Sequence, residues 1–237
     1  MRGLFITATD TGAGKTFVAA IIARTLREQG ARVRVCKPVA TGAEELSEDT
    51  RILAEAAGDG AYAAITPFVF AAPAAPPVAA RLAGSALRLD ALADAVRRRA
   101  APRALLVVEG VGGLLCPLTE RETVADLAAA LGLPLVVVAR RSLGTLNHTL
   151  LTLEVAFSRR LPVAGVVVNE TTPVQGPAEE TNVEELRRRI GVPLLAVVPH
   201  QPDGVPRLCP ETSAVDWRRL AEGGDREPNR GAAVYPS

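Results

Sequence analysis

The stretch "ATDTGAGKT" (8–16) ends in Gly-Lys-Thr, as a phosphate-binding loop does. The usual pattern is Gly, four residues, then Gly-Lys-Ser/Thr. Counting back from Gly14, the first glycine should fall at position 9, where this chain has Thr9. The flanks nevertheless supply the right setting. "GLFITA" (3–8) reads as a buried strand, and "KTFVAAIIARTLREQG" (15–30) has helical periodicity with a glycine stop at Gly30. In that setting the amides of Gly12, Ala13, Gly14, Lys15, Thr16 and Phe17 would cradle phosphate oxygens at a helix start. Lys15 would bridge the β- and γ-phosphates of a bound triphosphate such as ATP, and the Thr16 hydroxyl would bind Mg²⁺. An ordinary strand–turn–helix with a capping threonine is the plainer alternative, and the placement of Gly-Lys-Thr disfavours it.

Working outward, apolar runs alternate with amphipathic segments. "RVRVCKPV" (32–39), "ALLVVEG" (104–110), "PLVVVA" (134–139), "PVAGVVVN" (162–169) and "PLLAVVPH" (193–200) read as further strands, the last ending the sheet. Helices are expected over Glu48–Ala57, 89–100, 123–132, Thr145–Phe157 and 179–190. The proline- and alanine-rich segment 67–84 reads as a loop followed by a short helix. Strands apolar throughout and spaced by helices indicate an α/β fold: a doubly wound, mainly parallel sheet with helices on both faces, like that of P-loop NTPases. No linker divides the chain, so residues 1–222 are expected to form a single domain, and 223–237 a mobile tail with little to bury. Ligands of such sheets lie beyond the carboxyl ends of the strands.

Composition narrows the function classes. A net charge of +1 in 237 residues gives no reason to expect nucleic acid or an anionic membrane as partner. The apolar runs are too short to span a bilayer, and the first residues lack a signal peptide's apolar run. Three widely spaced cysteines, Cys36, Cys116 and Cys209, fit neither a disulfide framework nor a zinc cluster, and read as free thiols of a cytoplasmic protein. Of 27 basic residues, all but Lys15 and Lys37 are arginine. An ammonium is compact on a flexible stem and fits a tight phosphate site where a planar guanidinium does not. Lys15 lies in the loop, and Lys37 opens "KPVATG" (37–42) after the second strand.

Other candidates sit at strand ends. Glu109, in "VVEGVGG" (107–113), stands where an acidic residue completes Mg²⁺ coordination. Asp49, in "SEDT", either joins the metal site or caps its helix. Lys37 would hold a γ-phosphate or an anionic substrate group. The amides of Gly144, Thr145, Leu146 and Asn147 would bind an anion such as a carboxylate, or simply start a helix. Asn169 suits an adenine edge or a turn. His148 and His200 have no sequence partners for a triad or metal site and are taken as structural.

Together these motifs resemble the dethiobiotin synthetases. That family carries Gly-Thr-Asp-Thr-x-x-Gly-Lys-Thr, matched here from Thr9 to Thr16. Its Lys-Pro-Val-x-Ser/Thr-Gly appears as "KPVATG", its Glu-Gly-x-Gly-Gly as "EGVGG" followed by Pro117-Leu118, and its Leu-Gly-x-Ile/Leu-Asn-His as "LGTLNH" (143–148). Asn169 and the prolines of "FAAPAAP" also fit, and the resemblance runs in order from about residue 3 to 200. It implies a Mg²⁺-dependent ligase that closes the ureido ring of dethiobiotin from 7,8-diaminopelargonate, CO₂ and ATP, in biotin biosynthesis. It implies roles for Lys15, Lys37 and Thr11 in catalysis, for Thr11 and Thr41 at the amines or carbamate, and for Thr16, Asp49 and Glu109 at the metal. It also implies a homodimer in which Gly144 to Asn147 of the partner hold the substrate carboxylate.

The chain departs from that pattern in two places. Ala8 stands where the family has glycine. A left-handed residue there would make alanine cost about 1–2 kcal/mol, whereas a strand residue would cost almost nothing. Because Ala8 directly follows the strand, the second is expected. Arg140 and Arg141 add charge beside the proposed carboxylate site, either tightening it or facing solvent. Three other readings compete. A related amidoligase would normally carry a glutaminase domain, for which this chain is short. A partitioning-type ATPase would have a lysine where Asp10 stands, and a basic amphipathic tail. A non-catalytic nucleotide binder is disfavoured by Lys15, Thr16, Glu109 and Lys37.

Overall fold

The computed structural model describes residues 1–223, so the expectation of a mobile 223–237 tail lies, apart from Gly223, outside the described residues. The chain runs β1 (Gly3–Ala8), α1 (Lys15–Glu28), β2 (Arg32–Cys36), β3 (Val39–Thr41), α2 (Glu48–Ala57), α3 (Tyr62–Ile65), β4 (Phe68–Phe70), α4 (Pro76–Leu82) and α5 (Leu89–Arg99). It continues β5 (Ala104–Glu109), α6 (Val124–Leu131), β6 (Leu135–Arg140), α7 (Thr145–Ser158), β7 (Val163–Asn169), α8 (Pro177–Arg189), β8 (Leu194–Val198), α9 (Pro210–Ser213) and α10 (Trp217–Glu222).

Six strands form one parallel sheet in the order β2-β5-β1-β6-β7-β8. The period of two divides each central strand between two cores. Leu4, Ile6 and Ala8 of β1, with Leu105 and Val107 of β5, pack into the core containing α1 and α2. Phe5, Leu106 and Val108 point the other way, into the core containing α5 and α6. A third cluster joins Val166 and Val168 of β7 to Val183 and Leu186 of α8. Burial on both faces explains why these strands read as continuous apolar runs. Strand order reverses at β1, so the loop leaving β1 opens at the switch point where such sheets bind ligands.

The expected strand 32–39 is two strands. β2 ends at Cys36, and the Lys37 N–H leaves the sheet to donate to the Ile65 carbonyl (2.9 Å). Pro38 has no N–H to extend the ladder. The chain then turns into β3, which pairs in parallel with β4 as a separate two-stranded sheet. β4 therefore lies inside a segment expected to be loop. Three short helices, α3, α9 and α10, were not legible in the pattern. α10 carries Trp217, fully buried against the α1 side of the sheet, its indole N–H donating to the Thr212 carbonyl (2.7 Å).

Candidate active site

The phosphate loop begins from an ordinary strand residue. Ala8 pairs with Val138 in the β1–β6 ladder, and Arg103 and Arg160 are the only non-glycine residues with positive φ among the described residues. The missing glycine at Ala8 therefore imposes no backbone strain. The left-handed positions are Gly12 (φ 77°) and Gly14 (φ 88°), both glycine. Gly14 is doubly constrained, because a Cβ there would lie 2.1 Å from the Asn169 side-chain nitrogen. That nitrogen donates to the Ala13 carbonyl at 3.0 Å, so β7 braces the loop from the side. At the loop's start the Thr11 N–H donates to Asp10 Oδ1 (2.6 Å), and Lys15 Nζ reaches the Asp10 carbonyl at 3.4 Å.

Four residues, from α1, the turn after β2, α2 and β5, meet beside the loop. Lys37 Nζ lies 2.6 Å from Glu109 Oε1 and 2.5 Å from Asp49 Oδ2, and Thr16 Oγ1 donates to Glu109 Oε1 at 2.8 Å. Lys37 and Glu109 are both buried. Asp49 does not cap α2. Ser47 is the cap, its hydroxyl accepting from the Thr50 N–H, and this leaves the Asp49 carboxylate for Lys37.

Burial alone would lower the Lys37 pKa, but Glu109 and Asp49 outweigh it and hold the ammonium above its ordinary 10.5. Lys15 shifts the other way: burial pushes it down, Glu109 opposes, and nearby Lys37 adds to the fall. Burial works against the Asp49 carboxylate, yet the Lys37 ammonium prevails and keeps its pKa below 3.8. The two lysines thus shift in opposite directions, and only at Lys37 do the neighbouring carboxylates outweigh burial.

Glu109 Oε2 is buried with no hydrogen-bond partner among the described residues. With Thr16 Oγ1 and Asp49 it offers hard oxygen donors, which fit Mg²⁺. Among the described residues no group of three or more His, Cys, Asp or Glu is placed to hold a metal. A metal here would therefore take its remaining ligands from phosphate and water.

Two cavities open near the carboxyl ends of the strands. One, of about 490 Å³, opens from Thr9–Thr11 across Gly112–Cys116 to the α7 face formed by His148, Leu151, Thr152 and Val155. The other, of about 390 Å³, runs from Thr41 to Asp49. The structure thus puts Thr11 and Thr41 on the walls of separate cavities, the second of which also reaches Asp49. Sequence reasoning missed Leu114, Leu115, Leu151 and Val155, and took His148 as structural. Its signal was the 148-151-152-155 spacing, one helix face that is only partly covered.

Gly144 is the N-cap of α7 (φ 91°). Gly144 and Asn147 are exposed, Leu146 is partly covered, and the buried Thr145 Oγ1 has no hydrogen-bond partner among the described residues. Arg141 does not face solvent: it pairs with Glu170 and donates to the Glu179 carbonyl (2.6 Å), tying β6 to α8. Cys36, next to Lys37, is buried and its thiol pKa is pushed up to about 12, which makes it unreactive.

A family profile described as "AAA domain" matches residues 2–207. A protein of Anaeromyxobacter dehalogenans described as "ATP-dependent dethiobiotin synthetase BioD" is 49% identical over 205 residues, covering 86% of this chain and 92% of that protein. One of the same description from Bacillus licheniformis is 40% identical over 209 residues, covering 87% and 89%. In fold, the chain is similar to a ParA family ATPase of Chlorobium tepidum, with a TM-score of 0.54 at 15% identity, covering 92% of this chain and 97% of that one. At that identity the likeness shows the fold alone.

Proposed function

The chain belongs to the ATP-dependent dethiobiotin synthetases, and from that premise we propose that it joins CO₂ to 7,8-diaminopelargonate and closes the ureido ring at the cluster formed by Lys37, Glu109, Asp49 and Thr16. The observation that carries this reading is Lys37. It is a buried lysine whose ammonium is held above its ordinary pKa by two carboxylates, one of which also meets Thr16 at the start of the loop helix.

In the proposed sequence, one amine of the substrate takes up CO₂ as a carbamate. A carbamate oxygen attacks the γ-phosphorus of ATP and ADP leaves, giving a carbamic–phosphoric mixed anhydride. The second amine attacks the carbamoyl carbon, the ring closes, and phosphate departs. Carbamate and triphosphate repel each other, so the site must gather positive charge where they meet. Lys15 and Lys37 supply two ammonium groups there. Bound Mg²⁺, held by Thr16, Asp49 and Glu109, would add charge neutralisation at the phosphates. Thr11 and Thr41 hydrogen-bond the amines or carbamate. Ring closure is intramolecular and benefits from the effective concentration of the second amine. The amides of Gly12 to Phe17 hold the phosphates. Asn169 braces the loop through its amide nitrogen, and its oxygen remains for the adenine edge.

The cavity walled by Leu114, Leu115, Leu151 and Val155 suits the aliphatic chain of a nine-carbon acid. Leu143, Leu151 and Leu115 are exposed to 84%, 57% and 52%, on the side that presents Gly144 to Asn147. Apolar exposure of this kind suits contact with a second copy, whose α7 start would hold the substrate carboxylate. We place the enzyme in the cytoplasm; no described helix is long and apolar enough to cross a membrane.

The test is phosphate release from Mg-ATP, with diaminopelargonate and bicarbonate omitted in turn. Turnover requiring both is expected. Turnover indifferent to the diamine would sink the assignment.

A further inference from the structure

At the pole of the sheet opposite the phosphate loop, four arginines from separated segments converge on one concavity. Arg2 precedes β1, Arg32 opens β2, Arg103 precedes β5 and Arg218 lies in α10. They line a cavity of about 210 Å³ against buried Leu105. Because the strands are parallel, these segments are together at the amino ends of β1, β2 and β5, the far side from every residue of the reaction site.

Charge in this pocket is unbalanced. Its one acidic residue among the described residues, Glu222, shares a single oxygen, Oε1, between Arg2 Nη1 (3.1 Å) and Arg218 Nε (3.5 Å). Arg32 and Arg103 have no ion pair or side-chain hydrogen bond among the described residues. Most other arginines do: Arg34 and Arg99 meet Asp59, Arg81 meets Glu120, and Arg159 meets Asp126. Two uncompensated guanidinium groups share one concavity in a chain whose net charge is only +1. Arg103 is also held at φ 60°, in a turn closed by the Ala104 N–H on the Ala101 carbonyl (3.1 Å). A bulky side chain in that conformation is disfavoured unless the surroundings fix it.

We propose that this pocket is a second oxyanion site, independent of the nucleotide site, which takes a compact phosphate-type anion of the size of inorganic pyrophosphate between Arg32 and Arg103. Guanidinium forks match phosphate oxygens in bidentate fashion. The cavity is below the 300–1,000 Å³ range of pockets that enclose larger organic ligands, which favours a small, highly charged anion over a nucleotide. An anion there bridges the amino ends of three strands and the last described helix, so its binding stabilises the folded state.

The test is calorimetric titration with inorganic pyrophosphate in magnesium-free buffer, with the reaction site saturated by a non-hydrolysable ATP analogue. One remaining site per chain is expected, weakening as salt is raised. The double variant Arg32→Ser, Arg103→Gly should weaken it at least tenfold, glycine suiting the left-handed position. Glu222→Gln, which removes the only carboxylate among the described lining residues, should tighten it severalfold. Dethiobiotin formation should be unchanged in both. No residual binding with the nucleotide site filled overturns the proposal. So does an affinity indifferent to the double variant. Should that variant not fold, Glu222→Gln decides alone, and unchanged affinity in it counts against the site.

Discussion

Lys37 Nζ lies 2.6 Å from Glu109 Oε1, across 72 residues of sequence, and the same oxygen accepts from Thr16 at 2.8 Å. One carboxylate oxygen thus joins the second lysine to the phosphate loop, while the other, Oε2, is left without a partner among the described residues. Lysine, threonine and glutamate thus meet at one oxygen atom.

Lys37→Gln is expected to lower kcat by about 10²–10³, the scale on which one preorganised charge or donor acts in a transition state. ATP affinity should change little, since the loop amides and Lys15 remain. Steady-state rates together with equilibrium ATP titration separate the two effects. Full activity in the variant would remove Lys37 from the mechanism.

Stability should depend on pH with opposite signs at the two lysines. Asp49 is held below 3.8, so its contribution is present above that value and is lost as pH falls through its lower folded value. Lys37 is held above 10.5, so its contribution is complete below 10.5 and is lost as pH rises through the higher folded value. Lys15 is lowered, so stability is gained between its folded value and 10.5 as the buried ammonium discharges. Denaturant melts across pH should therefore show an acid limb below about pH 4 that is shallower in Asp49→Asn than in the wild type. Identical acid limbs would rule out the Lys37–Asp49 pair as a contributor.

Gly14→Ala should weaken ATP binding at least tenfold. The left-handed φ costs about 1–2 kcal/mol for a side chain, and the new Cβ meets Asn169 Nδ2 at 2.1 Å. Adding Asn169→Ala should relieve the collision but not the dihedral cost. ATP dissociation constants for both single variants and the double variant should give a coupling of at least about 0.5 kcal/mol. Additive effects would mean that Asn169 does not brace the loop.

Ala8→Gly restores the family's glycine but should not tighten nucleotide binding, because Ala8 is a paired strand residue without positive φ. Glycine in a strand costs roughly 0.5–1 kcal/mol, so the thermal midpoint should drop by about 1–4 °C. Higher ATP affinity in this variant would show that alanine strains the loop.

Much of this molecule is legible without coordinates. β1, α1, β5, β6, α7 and β7 follow from apolar runs and helical spacing, because strands covered on both faces must be apolar throughout. The loop, Lys15, Lys37 and Glu109 stand out because phosphate chemistry limits which residue types can serve there. The short pieces were not legible. β3 and β4 have three residues each, too few for a period to register, and each exists only because the other pairs with it. α10 is recognisable only once the chain has folded back to bury Trp217.

What the sequence by itself determined is the layered fold, the loop's place on it and the kinds of residue available to the reaction. Pattern and composition are local properties and survive in one dimension. Only the tertiary structure decided which groups touch: that Asn169 braces Ala13 from 156 residues away, that Ser47 rather than Asp49 caps α2, that His148 walls a cavity, and that Lys37 is shared between two carboxylates. Those outcomes depend on strand order and on loop paths, which bring residues distant in sequence within about 3 Å of one another. Nothing in the spacing of residues along the chain encodes a distance of that kind.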